Sequence, residues 1–87
     1  MKKLTVKQFL VAEFIVNFLE KEKFAPSVYE ISDHFMIKTS TVFSHLKALQ
    51  KKGYIIRSRK ARSIIILKDI KSIRKKYFSN LPENSFF

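Results

Sequence analysis

The order of structural elements in this chain is decided by residues 26–53, which read PSVYEISDHFMIKTSTVFSHLKALQKKG. Ser27 and Glu30 form a capping box, the pattern that starts a helix. Apolar residues follow at helical spacing on both sides of the short connector 36–38, and Gly53 stands at a C-cap position. The stretch therefore predicts two helices joined by a tight turn, the second running from about Thr39 or Ser40 to Lys52. Their predicted buried faces are Val28, Ile31 and Phe35, then Val42, Leu46 and Leu49.

A longer helix is predicted before this stretch. Thr5 and Gln8 form a second capping box, and Leu4 with Phe9 forms a hydrophobic staple around it. The helix is expected to reach about Lys23 and to end before the proline at position 26, because the residue before a proline disfavours the α conformation. Its apolar surface is wider than one small core usually requires.

Beyond Gly53 the pattern changes to β-branched runs at 54–57 and 63–67, which predict two strands joined by a basic loop. Helical spacing returns after Asp69, and 81–87 is expected to be an irregular tail. The predicted fold is mainly α with a small antiparallel β wing: a winged helix-turn-helix of three helices, a two-stranded hairpin and a C-terminal helix. Residues 1–68 would form this domain, and 69–87 a helix and tail that contribute to a dimer interface.

Positive charge is concentrated in one part of the sequence. The 87 residues carry 18 Lys or Arg and 7 Asp or Glu, a net charge of +11. Residues 1–33 sum to zero, and residues 34–68 contain basic side chains but neither Asp nor Glu. Such a run predicts an anionic partner, with nucleic acid as the first candidate. From charge alone, RNA and membrane surfaces remain alternative partners. RNA is less favoured, because the aromatic residues stand mostly at core spacings and not where RNA bases would stack.

Several classes of function are disfavoured by composition. The chain has no cysteine and one glycine, and its two histidines and seven acidic residues show no metal-ligand spacing. No apolar window approaches the roughly 18 residues of a membrane span. We therefore expect no enzyme activity, cofactor, metal, small-molecule substrate or membrane partner, and a cytoplasmic, nucleoid-associated protein.

Scattered motifs resemble one family. Leu4-Thr5 with Gln8, Phe14-Ile15, Pro26-Ser27, Glu30-Ile31 and His45-Leu46-Lys47-Ala48-Leu49 look like the N-terminal DNA-binding domain of LexA-type repressors. The similarity covers about residues 4–67 and implies a winged helix-turn-helix that binds DNA. Met36 stands where the family usually has glycine, and Lys38 replaces the usual capping serine, which shifts the expected cap to Thr39. The family's self-cleaving C-terminal domain is not expected, because twenty residues after Leu67 cannot hold it.

The candidate DNA contacts lie on the helix at about 39–52, expected in the major groove, and on the wing 57–63, expected on the backbone or minor groove. Small hydroxyl residues let the helix approach base edges, and its lysines suit phosphates. Wing arginines suit phosphates or a narrow minor groove, since the loop sequence contains no acid to balance them. The alternative is an ordinary solvated surface that protects an edge strand. The predicted contacts are Ser27, Thr39, Ser40, Thr41, Ser44, Lys47, Lys51, Arg57, Arg59, Lys60 and Arg62.

Two further side chains of this helix have ambiguous roles. Phe43 lies at the edge of the apolar stripe and is predicted to pack in the core or against the first helix, with contact to a thymine methyl as the alternative. His45 flanks the same stripe, and we expect it to be packed or bonded to backbone rather than to act as a ligand or base.

The function predicted from these residues is that of a sequence-specific, double-stranded-DNA-binding transcriptional regulator, a repressor. The wide apolar arc of the first helix is expected to be covered partly by the last helix, leaving Phe9 and Val16 for a homodimer interface. The alternative function is a winged-helix protein-interaction module in a replication or transcription assembly, binding through Phe9, Val16 or Phe86-Phe87.

Overall fold

A computed structural model describes residues 3–58, 60 and 62–82. Its helices are α1 (Val6–Glu22), α2 (Val28–Phe35), α3 (Thr39–Lys51) and α4 (Ile70–Tyr77). Strands β1 (Ile55–Ile56) and β2 (Ile65–Ile66) lie between α3 and α4 and pair antiparallel. The predicted winged helix-turn-helix is confirmed, with strands shorter than the runs 54–57 and 63–67. Arg59 and the tail 83–87 lie outside the described residues.

Local hydrogen bonds start three of the four helices in the described residues, and two of these caps are the predicted capping boxes. Thr5 Oγ1 accepts from the Gln8 amide at 3.1 Å, and Ser27 Oγ accepts from the Glu30 amide at 3.2 Å. Asp69 caps α4 by accepting from the Ser72 amide at 3.1 Å. The expected cap at Thr39 is wrong: Lys38 occupies the N-cap of α3 in an extended conformation and makes no side-chain cap bond in the described structure.

The turn between α2 and α3 is built without glycine. Met36 adopts the left-handed conformation, with φ of 57°, and its side chain is 87% exposed. This conformation costs a non-glycine residue about 1–2 kcal/mol. The turn is held by the Ile37 amide, which donates to the Ser32 carbonyl at 3.1 Å. Tertiary packing of α2 against α3 therefore imposes a geometry that residue preference alone would assign to glycine.

All four helices and the hairpin share one hydrophobic core. Phe9 is fully buried, and its ring stacks on Phe78 with centroids 4.3 Å apart. Val16 is partly buried against the same core. The expected covering of α1 by the C-terminal segment is confirmed, whereas the expectation that Phe9 remains available for a dimer interface is wrong, because Phe78 occupies that face. The buried apolar residues are Leu4, Phe9, Leu10, Val11, Ala12, Ile15, Ala25, Ile31, Phe35, Val42, Leu46, Leu49, Tyr54, Ile55, Ile64 and Ile70.

An ion pair fixes α4 to α1. Arg74 Nη2 lies 2.9 Å from Glu13 Oε1, and Nε of the same guanidinium bonds the other carboxylate oxygen. The two side chains are only 17% and 14% exposed. Arg74 Nη1 also donates to the Leu81 carbonyl at 2.7 Å. One guanidinium therefore joins α1, α4 and the segment that follows α4.

None of the helices in the described part of the chain has the length and apolarity needed to cross a membrane.

Replacing Arg74 by Met is expected to lower the free energy of unfolding by about 3 kcal/mol, because the Glu13 carboxylate would stay buried without its counter-charge. Urea unfolding followed by circular dichroism measures the change. Lys75→Met, at an exposed position on the same helix, is the matched control and is expected to change stability by less than about 0.5 kcal/mol. Equal effects of the two substitutions would contradict the role given to the ion pair.

Candidate nucleic-acid interface

The contacts of α3 with the core determine which face of the helix points outward. Val42, Leu46 and Leu49 are each 0% exposed and point into the core. Since successive residues turn by about 100°, the opposite side of the helix faces outward. It presents four exposed polar side chains, which we call the recognition face: Ser40, Ser44, Lys47 and Lys51. The predicted orientation of these residues is confirmed.

A cleft of about 400 Å³ lies between the start of α2, α3 and the wing. We call it the wing cleft. Five of the predicted contact residues line it together: Ser27, Thr39, Arg57, Lys60 and Arg62. The cleft thus joins residues from three separate parts of the sequence. Thr41 is half-buried in the first turn of α3 and, like the recognition face, does not line the cleft.

Phe43 is not a core residue. Its side chain is 45% exposed and lines the wing cleft. The guanidinium carbon of Arg57, the residue after β1, lies 5.2 Å from the centre of the Phe43 ring, a cation–π contact between the wing and α3. The expectation that Phe43 packs in the core or against the first helix is wrong, because the ring projects into the space between α3 and the wing.

Arg62 is held by residues of the α1–α2 region. Its Nη1 lies 2.6 Å from Glu30 Oε1 and donates to the Ala25 carbonyl at 3.0 Å. Its guanidinium carbon lies 4.6 Å from the centre of the Phe24 ring. The expectation that no acid balances the wing is therefore wrong, since Glu30 is remote in sequence but adjacent in space. We call this arrangement the wing clamp.

The carboxylate of Glu30 serves two partners. Its Oε1 accepts from the Ser27 amide at 2.9 Å, which completes the capping box, and the same atom pairs with Arg62. These interactions, the Ser27 backbone bond first and the Arg62 bond second, lower the pKa of Glu30 below its usual value. Glu30 is therefore ionised near neutral pH, and the wing clamp is intact there.

His45 is half-buried on α3. Burial, together with the positive charge of Lys7, lowers the pKa of His45 and favours its neutral form. This agrees with the predicted packed role. Among the described residues, no group of three or more His, Cys, Asp or Glu side chains is placed to hold a metal ion.

Tyr29 was not among the predicted contact residues, although it is 74% exposed and lines the wing cleft. A signal was present, because Tyr29 lies off the apolar stripe formed by Val28, Ile31 and Phe35. The hydrogen bonds inside the wing were not predicted either: the Ser58 amide donates to Ser63 Oγ and the Ser63 hydroxyl donates to the Ser58 carbonyl, both at 3.0 Å. These bonds close the base of the wing loop.

Hydroxyl and lysine side chains along the second helix of a helix-turn-helix, beside a basic wing, define a winged helix-turn-helix DNA-binding domain. Comparison with known proteins gives the family. The sequence profile of the LexA DNA binding domain matches residues 1–63, and the chain belongs to this family.

Individual relatives carry the name LexA repressor. The protein of Thermosipho melanesiensis is 43% identical over 84% of this chain and 37% of its own length. The protein of Thermotoga neapolitana is 45% identical over 83% of this chain and 37% of its own length. That of Leptospira biflexa is 42% identical over 78% of this chain and 34% of its own length. The chain thus spans roughly a third of the length of these relatives.

Replacing Glu30 by Gln keeps an acceptor for the Ser27 amide but removes the charge that holds Arg62. The native pKa of Glu30 is lowered, so the stabilisation from its ionised form is present above the unfolded value near 4.5 and is lost as pH falls through the native pKa. We therefore expect the variant to be less stable than the wild type at neutral pH, with the difference shrinking in acid. Urea unfolding midpoints measured across this pH range test the expectation.

Glu22→Gln, at the exposed end of α1, is the control for loss of one carboxylate without loss of the wing clamp. A stability difference between wild type and Glu30→Gln that stays constant from neutral to acidic pH would show that the charge of Glu30 does not stabilise the fold.

Proposed function

We propose that this chain binds double-stranded DNA in a sequence-specific manner and represses transcription by occupying an operator. In this proposal α3 and its C-terminal end, residues 39–52, lie in the major groove, and the wing 57–63 lies on the adjacent backbone or minor groove. The observation that carries the proposal is the recognition face: hydroxyls and lysines point outward from a helix that contains no acidic residue. Membership of the LexA DNA-binding domain family supports it.

The side chains divide into two groups by chemistry. Ser40 and Ser44 are short, so they allow the backbone of α3 to approach base edges, where a hydroxyl donates or accepts. Lys47 and Lys51 reach phosphates as flexible point charges. We assign the hydroxyls to sequence preference and the lysines to affinity.

The residues of the wing cleft contact the neighbouring backbone in this proposal. Arg57 and Lys60 supply cations, and Thr39 and Thr41 lie in the first turn of α3, where the positive end of the helix dipole favours a phosphate. Ser27 lines the wing cleft at the start of α2, where its hydroxyl is placed to contact a phosphate. Arg59 keeps the phosphate role that its sequence position predicts. The wing clamp gives Arg62 the task of holding the wing in place, with any DNA contact secondary.

Repression, rather than another outcome of DNA binding, is inferred from the name of the relatives, which are LexA repressors. Occupying an operator requires no chemical step, so this chain acts as a regulator without enzyme activity in our proposal, and its site of action is the nucleoid. We further propose that two copies bind one palindromic site, because a single small module buries limited DNA surface and two half-sites multiply specificity.

The protein-interaction alternative has weaker support. It relied on Phe9 and Val16 or on Phe86-Phe87. Phe9 is fully buried and Val16 packs partly against the core, and Phe86-Phe87 lies outside the described residues. The polar recognition face has no role in that alternative, whereas DNA binding uses all of it.

Selection of bound duplexes from a random DNA pool at near-physiological salt tests the proposed function. We expect enrichment of a defined motif, arranged as a palindrome if two copies bind together. Recovery of unenriched sequence would exclude sequence-specific binding, and enrichment of a single half-site would exclude the paired arrangement.

On the selected duplex, affinity is expected to fall steeply with salt, by roughly 0.9 log units per log unit of salt for each phosphate contacted. Lys51→Ala is expected to reduce that slope by about one and to weaken all sequences to a similar degree. Fluorescence anisotropy at several salt concentrations measures both quantities. Lys21→Ala, exposed on α1 away from the recognition face, is the matched control for loss of one positive charge. A slope near zero for the wild type would contradict the proposed function.

A further inference from the structure

The exposure of Phe43 differs from that of every other large apolar residue of α3. Val42, Leu46 and Leu49 are wholly buried, whereas 45% of the Phe43 side chain is exposed. Its neighbours on the outer side are polar, with Ser44 next in sequence and Ser40 one turn earlier. An aromatic ring at this place contributes little to the core, so its apolar surface is available to a partner.

The cleft around Phe43 combines apolar side chains, among them Val28 and Ile64, with hydroxyl and cationic ones. The ring lines the wing cleft together with Thr39, Arg57 and Lys60. Because the ring lies beside hydroxyls and cations, it fits a partner that is mostly anionic and that carries a small apolar group within reach of α3. In the major groove of DNA, the C5-methyl group of thymine is such a group, and side chains such as Phe contact it.

We propose that Phe43 is a specificity-determining residue that selects thymine by packing against its 5-methyl group. The inference rests on the proposed function, since it requires α3 to lie in the major groove. It goes beyond that function by identifying one base of the operator as thymine and Phe43 as the residue that recognises it.

Arg57 is the positioning residue for this contact. Its guanidinium carbon lies 5.2 Å from the ring centre. This contact restrains the ring without consuming N–H donors, because the attraction is between the cation and the face of the ring. Within the described residues no side-chain N–H donor of Arg57 makes a hydrogen bond, so these donors are placed to bind a phosphate beside the thymine. The wing and the recognition helix would thereby read one nucleotide step together.

The test replaces each thymine of the selected duplex, one at a time, by deoxyuridine, which lacks only the 5-methyl group. With wild-type protein, we expect one position in each half-site to lose affinity by about fourfold, the effect of failing to bury one methyl group. With Phe43→Ala, binding to the thymine duplex is expected to be weaker by a similar or larger factor, and the same deoxyuridine substitution to have no further effect.

Phe43→Leu is the second variant, because it keeps an apolar side chain and is expected to retain part of the sensitivity to the methyl group. Thermal unfolding of both variants establishes that they are folded. Tyr77→Ala, which removes an aromatic ring that is 54% exposed on α4, is the matched control and is expected to leave the deoxyuridine effect at its wild-type size.

The outcomes separate this inference from the proposed function. Equal binding of all thymine and deoxyuridine duplexes, or a selected motif without thymine, would overturn the role of Phe43 while leaving sequence-specific binding intact. A deoxyuridine effect that persists in Phe43→Ala would also overturn it, because another residue would then read the methyl group. Absence of any enriched motif would instead overturn the proposed function.

Discussion

The burial of one face of α3 in the core is the constraint on which the candidate nucleic-acid interface depends. Val42, Leu46 and Leu49 are completely buried, and each such side chain contributes about 1.5–3 kcal/mol relative to an exposed position. Rotating α3 about its axis would expose them, so the rotation is energetically excluded. The direction of Ser44 and Lys47 is therefore determined by the core, and a rigid helix presents the recognition face before any DNA is bound.

The features that could be predicted from the sequence are those set by interactions between residues three or four apart. The capping boxes at Thr5 and Ser27 form as expected, and the apolar stripe of α3 is buried as its spacing indicates. The conformation of the turn between α2 and α3 could not be predicted in this way. Met36 adopts a left-handed conformation because α2 and α3 pack on the same core, and a preference scale would have placed glycine there.

The features that sequence reasoning misplaced depend on contacts between distant parts of the chain. Phe9 is covered by Phe78 from the other end of the chain, and Arg62 is neutralised by Glu30 of α2. Periodicity along one helix cannot indicate which distant residue covers its flank. Likewise, a count of charges in one segment omits an acid that packs against it from another. Phe43 was misplaced for the same reason, because its exposure depends on the position of the wing.

The wing clamp changes how the charge of the chain should be interpreted. Arg62 forms an ion pair with Glu30. The predicted basic contacts that remain in the described part of the interface are Lys47 and Lys51 on α3 and Arg57 and Lys60 on the wing. In the proposed function these four residues contact phosphates. Phosphate contacts of this kind position a protein on DNA and contribute affinity without discriminating sequence. In the proposed function, discrimination is then left to the short hydroxyl side chains of α3 and to the exposed ring of Phe43. A small module can separate affinity from specificity in this way only if the wing stays fixed relative to α3, and a buried helix face together with an arginine clamp provides that fixed geometry.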